Sequence, residues 1–304
     1  MRATPQSKKF LRATGLAAPC VAFALFSAQA VAIIGGLPEG PLADSPERRV
    51  DENRCDSSWA GVVSLQIGEG VFSGAIVADQ WVLTAAHVAA GQREHPEHIT
   101  VHVPCHDTRI VVDRIEVAPG YTGYESGRIN FDDVALIHLR EAAPAEVPRY
   151  PLLSGVPTQG TVATLVGYGA GGDPQRGGYV PARADVKRIG ENALDAFISG
   201  LDGRLRGFVY DFDGFDEATN MIGGPSLGNR REATVGPGDS GSPVFVRDGG
   251  RWTIAGVSTF QMRFPVPPPK TSPLPPHFGS GGGGMLIAPY TDWIRSVVNA
   301  HQPR

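Results

Sequence analysis

Gly238-Asp239-Ser240-Gly241-Ser242-Pro243, running into the apolar stretch Val244-Phe245-Val246, is the segment that decides how this chain folds. Two glycines bracket an Asp-Ser pair just ahead of a strand, and glycine lets a tight turn bring its backbone N–H groups close to another molecule. A serine hydroxyl is a weak nucleophile until a neighbouring base takes its proton. Upstream, Trp81-Val82-Leu83-Thr84-Ala85-Ala86-His87 puts a histidine directly after an apolar strand and small residues. Asp133-Val134-Ala135-Leu136-Ile137 puts an acid at the head of a second buried strand. Each segment alone reads as ordinary structure: a tight turn, a satisfied histidine, an acid at a strand start. The three together, in the order His, Asp, Ser, are much harder to explain that way. Asp132 adjoins Asp133, and the apolar run starts after Asp133.

Outward from these segments, short β-branched and aromatic runs recur with turn signals between them. They are Gly61 to Ile67, Gly74 to Leu83, Ile99 to Val103, Arg109 to Val117, Val134 to Leu139 and Val162 to Val166. After a Gly-rich break at Gly167 to Gly172 they resume at Ala182 to Ile189, Gly207 to Phe212, Pro243 to Arg247 and Trp252 to Phe260. Such spacing predicts an all-β sandwich or barrel, and 39 Gly and 26 Pro in 304 residues fit many turns. One helix is predicted, Pro289 to Ala300, with Trp293, Ile294 and Val297 on one face. The halves divide near Leu152 to Gly160. The proline-rich Phe264 to Pro276 and the glycine run Gly279 to Gly284 together read as a long exposed loop, stiff and then pliant.

The N-terminus carries Arg2, Lys8, Lys9 and Arg12, then an apolar run from Ala13 to Phe26, then small residues to Ala32. That order is a secretory signal peptide, with cleavage patterns ending at Ala30 and at Ala32. The run is shorter than the roughly 20 residues a membrane span needs. Loss of the leader changes 27 basic and 31 acidic residues into 23 and 31. A mildly acidic chain with no basic run excludes nucleic acid and anionic membrane as partners. Cys55 and Cys105 in an exported chain are expected to pair.

With these motifs in place, the chain resembles the chymotrypsin-like serine proteases, in particular their bacterial secreted members, from about Val50 to Ala300. Leu165-Val166-Gly167-Tyr168-Gly169, Gly256-Val257-Ser258 and Asp292-Trp293-Ile294 are similar to further family segments. The resemblance implies two antiparallel six-stranded β-barrels with a C-terminal helix and a site between the barrels. His87 is then the general base, Asp133 its orienting acid and Ser240 the nucleophile, with an oxyanion hole from the N–H groups of Gly238 and Ser240. Protein or peptide substrates, a secreted or periplasmic location, a monomer and no cofactor or metal follow.

Departures from the family pattern limit what carries over. Six positions before Ser240, where relatives that cut after Lys or Arg have an acid at the pocket floor, stands Thr234. A buried threonine does not offset desolvation of a substrate cation, so such cleavage is not expected. Ser258-Thr259-Phe260 puts a bulky Phe260 where a glycine is usual on the pocket wall, favouring small side chains. In the family a newly cut apolar N-terminus pairs with the acid before the nucleophile, here Asp239. Ile33-Ile34-Gly35-Gly36 and Val50 compete for that part, and distance favours Val50, 13 residues before Val63 against 30 for Ile33. On that reading residues 33–49 are a propeptide or extension and 50–304 the protease domain. The usual disulfide beside the histidine is absent, with Val88 and Phe72 at its positions.

Two weaker clusters remain. His95, His98, His102 and His106 lack metal-ligand spacing and read as solvent-exposed. Asp211-Phe212-Asp213-Gly214-Phe215-Asp216-Glu217 resembles part of a calcium loop without its full length. Competing functions are a catalytically silent relative, which would lack a triad residue, and an esterase, which would show the order Ser, Asp, His.

Overall fold

The computed structural model describes residues 33–35, 49–174, 177–200, 202–264 and 277–301. Residues 1–32, which the sequence reading takes as a secretory signal peptide, and the proline-rich stretch from 265 to 276 lie outside them.

A two-residue strand, β1 (Ile34–Gly35), comes first. Six strands then close a barrel in the order β2-β3-β4-β7-β6-β5. They are β2 (Val62–Ile67), β3 (Gly70–Ala78), β4 (Trp81–Thr84), β5 (Ile99–Val103), β6 (Thr108–Val117) and β7 (Ala135–Leu139). All six pairings are antiparallel, and the β2–β5 pair closes the ring. Its interior is built from residues such as Val63, Leu65, Ile76, Leu83, Val101 and Leu136, which are almost fully buried. Closure leaves no strand edge unpaired, the usual solution for short strands of one antiparallel sheet.

The second half contains β8 (Val162–Gly167), β9 (Gly171–Asp173), β10 (Gly177–Val180), β11 (Arg188–Ala193), β12 (Ala196–Ser199), β13 (Leu205–Asp211), β14 (Ala233–Thr234), β15 (Pro243–Asp248), β16 (Arg251–Arg263) and β17 (Ser280–Leu286). Seven of these form one antiparallel sheet in the order β11-β8-β15-β16-β17-β13-β12, and β10-β9-β1-β14 form a smaller one. The helix α2 (Thr291–Ala300) follows, with Ile294 buried and Trp293, Val297 and Val298 packed on the core. It begins two residues later than the sequence predicts, because Ala288–Tyr290 forms a separate 3-10 turn.

One expectation fails. The glycine run read as a pliant loop is the buried strand β17, hydrogen-bonded between β16 and β13. Large side chains on the neighbouring strands take the room that the absent Cβ atoms leave: a Cβ on Gly282 or Gly283 would press into Tyr210 or Phe260. Glycine content here records close approach and not flexibility.

The two halves meet through aromatic rings and buried polar bonds. Trp59 lies 5.1 Å from Phe245 and 4.6 Å from Trp252, and Tyr150 lies 4.7 Å from Phe245. Tyr168 donates its hydroxyl to the Val62 carbonyl at 2.8 Å, and Lys187, almost fully buried, reaches Asp51 and the Trp59 carbonyl. The disulfide between Cys55 and Cys105 closes a loop of 50 residues and ties the lead-in segment to the end of β5.

Candidate active site

β4 ends at Thr84, Ala85 stays extended, and the single turn α1 (Ala86–Ala89) then presents His87. Ala85 and Ala86 are fully buried, so larger residues there would push the histidine out of the barrel wall. Asp132 turns the chain with φ of 59° and leaves Asp133 just ahead of β7. Asp133, 2% exposed, accepts the His87 backbone N–H on Oδ1 and the ring Nδ1–H on Oδ2, each at 2.7 Å. Two bonds to one carboxylate fix both the position and the tautomer of the ring. Nε2 is thereby left as an acceptor, 2.8 Å from Ser240 Oγ.

The turn carrying Ser240 needs φ of 94° at Gly238 and 84° at Gly241, values that glycine adopts without strain. A Cβ on Gly241 would collide with Thr84 and Ser73 of the first barrel. Ser73 is the residue that the motifs did not reveal. Its N–H donates to the Ser240 carbonyl at 3.1 Å, its hydroxyl donates to the Gly238 carbonyl at 2.9 Å, and its Oγ accepts the Tyr168 N–H at 3.0 Å. It thus straps the serine turn to the opposite barrel, and a lone serine inside a strand gives no sequence signal for that.

Asp239 is fully buried, accepting the N–H groups of Gly169 and Gly236 at 3.2 and 3.1 Å. Burial pushes its carboxyl up to about 7, against which the Arg188 charge acts. Ile33 and Ile34, also fully buried, lie in the smaller sheet, where Ile34 pairs with Thr234 and Gly172. Val50, which chain distance favoured as the inserted terminus, forms an isolated bridge to Arg188.

A cleft of about 440 Å³ opens over His87 and Ser240, lined further by Phe72, Tyr124, Arg128, Pro237, Ser258, Phe260 and Gln261. Thr234 does not line it and is 0% exposed. Tyr124 and Arg128 sit in a loop without periodicity, so pattern reading passed over them. The Tyr124 ring is 5.9 Å from that of His87.

The histidines near Cys105 do not share one setting. His102, read as exposed, is 3% exposed and bonded to Asp107 and the Ala184 carbonyl. Alternation along β5 turns it away from Val101 and Val103 in the barrel interior, and it is buried on the outer face beneath the segment that carries Ala184. His95 stacks on His98, and His106 pairs with Glu146. Among the described residues, His95, Glu97 and His98 come within reach of one another as metal-ligating side chains, as do Cys55, Cys105 and His106, whose sulfurs are already joined. In the segment likened to a calcium loop, Asp211 accepts the Ile222 N–H and Asp216 caps a 3-10 turn through the Ala218 N–H. No described helix is long and apolar enough to cross a membrane.

Comparison with known proteins adds relatives. Over 142 residues the chain is 28% identical to Trypsin V-A of Rattus norvegicus, covering 45% of this chain and 56% of that protein. Over 251 residues it is 25% identical to Vitamin K-dependent protein C of Mus musculus, covering 80% of this chain and 49% of that protein. Over 76 residues it is 37% identical to Complement C1s subcomponent of Sus scrofa, covering 22% and 11%. The chain spans about half the length of the first two relatives, and much less of the third. A family model described as Trypsin matches residues 50–267, a span that takes in the whole closed barrel, the His-Asp-Ser arrangement and most of the second sheet, and the chain belongs to that family.

Proposed function

We propose that this protein is an exported serine endopeptidase in which Ser240 attacks the peptide carbonyl, His87 takes its proton, and Asp133 orients and stabilises the imidazole. The observation carrying the reading is His87 itself, bonded at 2.7 Å to a buried carboxylate on one nitrogen and 2.8 Å from a serine hydroxyl on the other. An imidazole so held can accept the hydroxyl proton as the serine attacks and hand it to the leaving amine as the acyl-enzyme forms. Water then repeats the cycle on the ester. Negative charge on the tetrahedral oxygen is met by the N–H groups of Gly238 and Ser240, and one such donor contributes roughly 3 to 4 kcal/mol in the transition state. Thr234 offers no charge for a Lys or Arg side chain and is shut away from the cleft. Cleavage after small uncharged residues is the consequence. Export rests on the order of basic, apolar and small residues at the N-terminus.

The test is hydrolysis of a peptide library by the secreted chain and by Ser240→Ala, with cut sites read by mass spectrometry. Loss of the nucleophile is expected to lower kcat by roughly 10⁶-fold. Equal rates in the two proteins, or dominant cuts after Lys and Arg, would overturn the reading.

A further inference from the structure

The primary specificity pocket is closed from inside by a side chain that no motif marks. Strands β16 and β17 pair as Phe260 with Gly283 and Gln261 with Gly282, after a register shift between Ser258 and Phe260. The shift decides which residue faces the opposite wall. A Cβ on Gly283 would lie 2.6 Å from the Phe260 ring, whereas a Cβ on Gly282 would lie 2.9 Å from Val235 Cγ2 and 2.5 Å from the Tyr210 hydroxyl. Cross-strand partners share a face of the sheet. Gln261 therefore looks toward Val235 and Tyr210, and Phe260 looks away from them. The Gln261 carboxamide spans the gap, its Nε2 donating to the Val235 carbonyl at 2.7 Å.

Val235 and Gln261 line the cleft, and Thr234, one residue further in, does not. Thr234 Oγ1 and the Tyr210 hydroxyl are buried behind this bond and lie beside each other. Val235 follows directly on the strand end Ala233–Thr234 that leads into the serine turn, so the bond to Gln261 lies where a substrate side chain would enter.

We propose that Gln261 is the specificity-determining residue of the cleft. Its carboxamide fills the place of the P1 side chain, the one on the residue whose carbonyl is attacked. It restricts P1 to glycine, alanine and serine. Removal of the plug leaves room beside Val235 for a longer uncharged side chain such as norvaline or glutamine. The inference rests on the serine endopeptidase reading above.

The experiment uses the secreted chain and fluorogenic tetrapeptide amides identical except for alanine, norvaline, leucine, glutamine or phenylalanine at P1. Active sites are first counted with a fluorophosphonate that labels Ser240. In Gln261→Ala the kcat/KM ratios of glutamine and norvaline to alanine are expected to rise about tenfold or more, the scale of one or two methylenes admitted to a pocket. Gln261→Ser gives a second reading should the alanine variant fold poorly. Phe260→Ala is expected to leave the glutamine ratio within about twofold of wild type. Labelled, active variants whose ratios do not move, or a rise in Phe260→Ala alone, would overturn the role of Gln261. Absence of labelling in the wild type would overturn the endopeptidase reading, and the proposal with it.

Discussion

Asp132 accepts a hydrogen bond of 2.9 Å from the hydroxyl of Tyr290, at the start of the C-terminal helix and 158 residues away. The same oxygen takes a 2.6 Å bond from Arg206. Asp132, which adjoins Asp133, is therefore engaged on the outside of the barrel, whereas Asp133 holds His87. Asp132→Asn is expected to lose about 1 to 3 kcal/mol of stability, the cost of weakening charge-assisted bonds, with kcat nearly unchanged. Asp133→Asn keeps the shape but favours the wrong imidazole tautomer and is expected to lower kcat by roughly 10⁴-fold. Urea melts and steady-state kinetics on the two variants separate these effects, and a similar loss of kcat in both would contradict the assignment.

A second group of acids sets a pH dependence of stability. Asp195, Asp211, Asp213 and Glu232 are all buried around β13 and its following loop. Burial, reinforced by neighbouring carboxylates, raises Asp195 to about 8, Glu232 to about 7 and Asp213 to about 6. The unfolded chain holds these groups near 4, so the folded protein binds more protons through this interval. Their contribution is complete below about pH 4 and is lost as pH rises through 6, 7 and 8. Thermal melts should show Tm falling from pH 5 to 8 on account of this cluster. Asp195→Asn, still able to accept the Asp211 N–H, should flatten that slope, and an unchanged slope would count against the account.

The barrel rhythm, the terminal helix and the three segments carrying His87, Asp133 and Ser240 were legible because each depends on local pattern: alternation, a cap, a turn. Less legible were features set by pairing between distant strands. The sequence Ser280 to Leu286 has the composition of a linker, yet it is a strand whose bare faces are filled by the Tyr210 and Phe260 side chains. Phe260, read from sequence as a pocket-wall residue, does line the cleft, but so does Gln261, which the bulge before it turns to the other face of the strand and which no motif marks. Ser73 works through backbone and hydroxyl bonds that no spacing encodes.

The reading of β17 has its own test. A Cβ on Gly284 would run into the Val257 carbonyl, a backbone atom of the paired strand that cannot swing aside, whereas a Cβ on Gly91 meets nothing within 4 Å. Gly284→Ala should destabilise by about 1 to 3 kcal/mol, the range for an overpacked core. Gly91→Ala should be neutral or stabilise by up to about 1 kcal/mol through reduced unfolded-state entropy. Chemical unfolding of both variants decides it: equal effects would mean that the strand yields like a loop.

The buried Ile33 and Ile34 bear on where the working chain starts. Counting residues favours Val50, yet Ile34 completes the smaller sheet between β9 and β14, and Ile33 packs against Gly190, just beside Ala233. A chain starting at Val50 gives up both side chains, each of which stabilises by about 1.5 to 3 kcal/mol when fully buried. It also leaves the edge of Thr234 unpaired, next to the wall that holds Gln261. Two secreted proteins that differ only in starting at Ile33 or at Val50 should therefore differ in urea midpoint, with the longer one more stable. The shorter one should also lose activity more than a remote truncation would, because β14 leads directly into the turn of Ser240. Matching midpoints and matching kcat/KM would return the terminus to Val50 and leave β1 without a structural role.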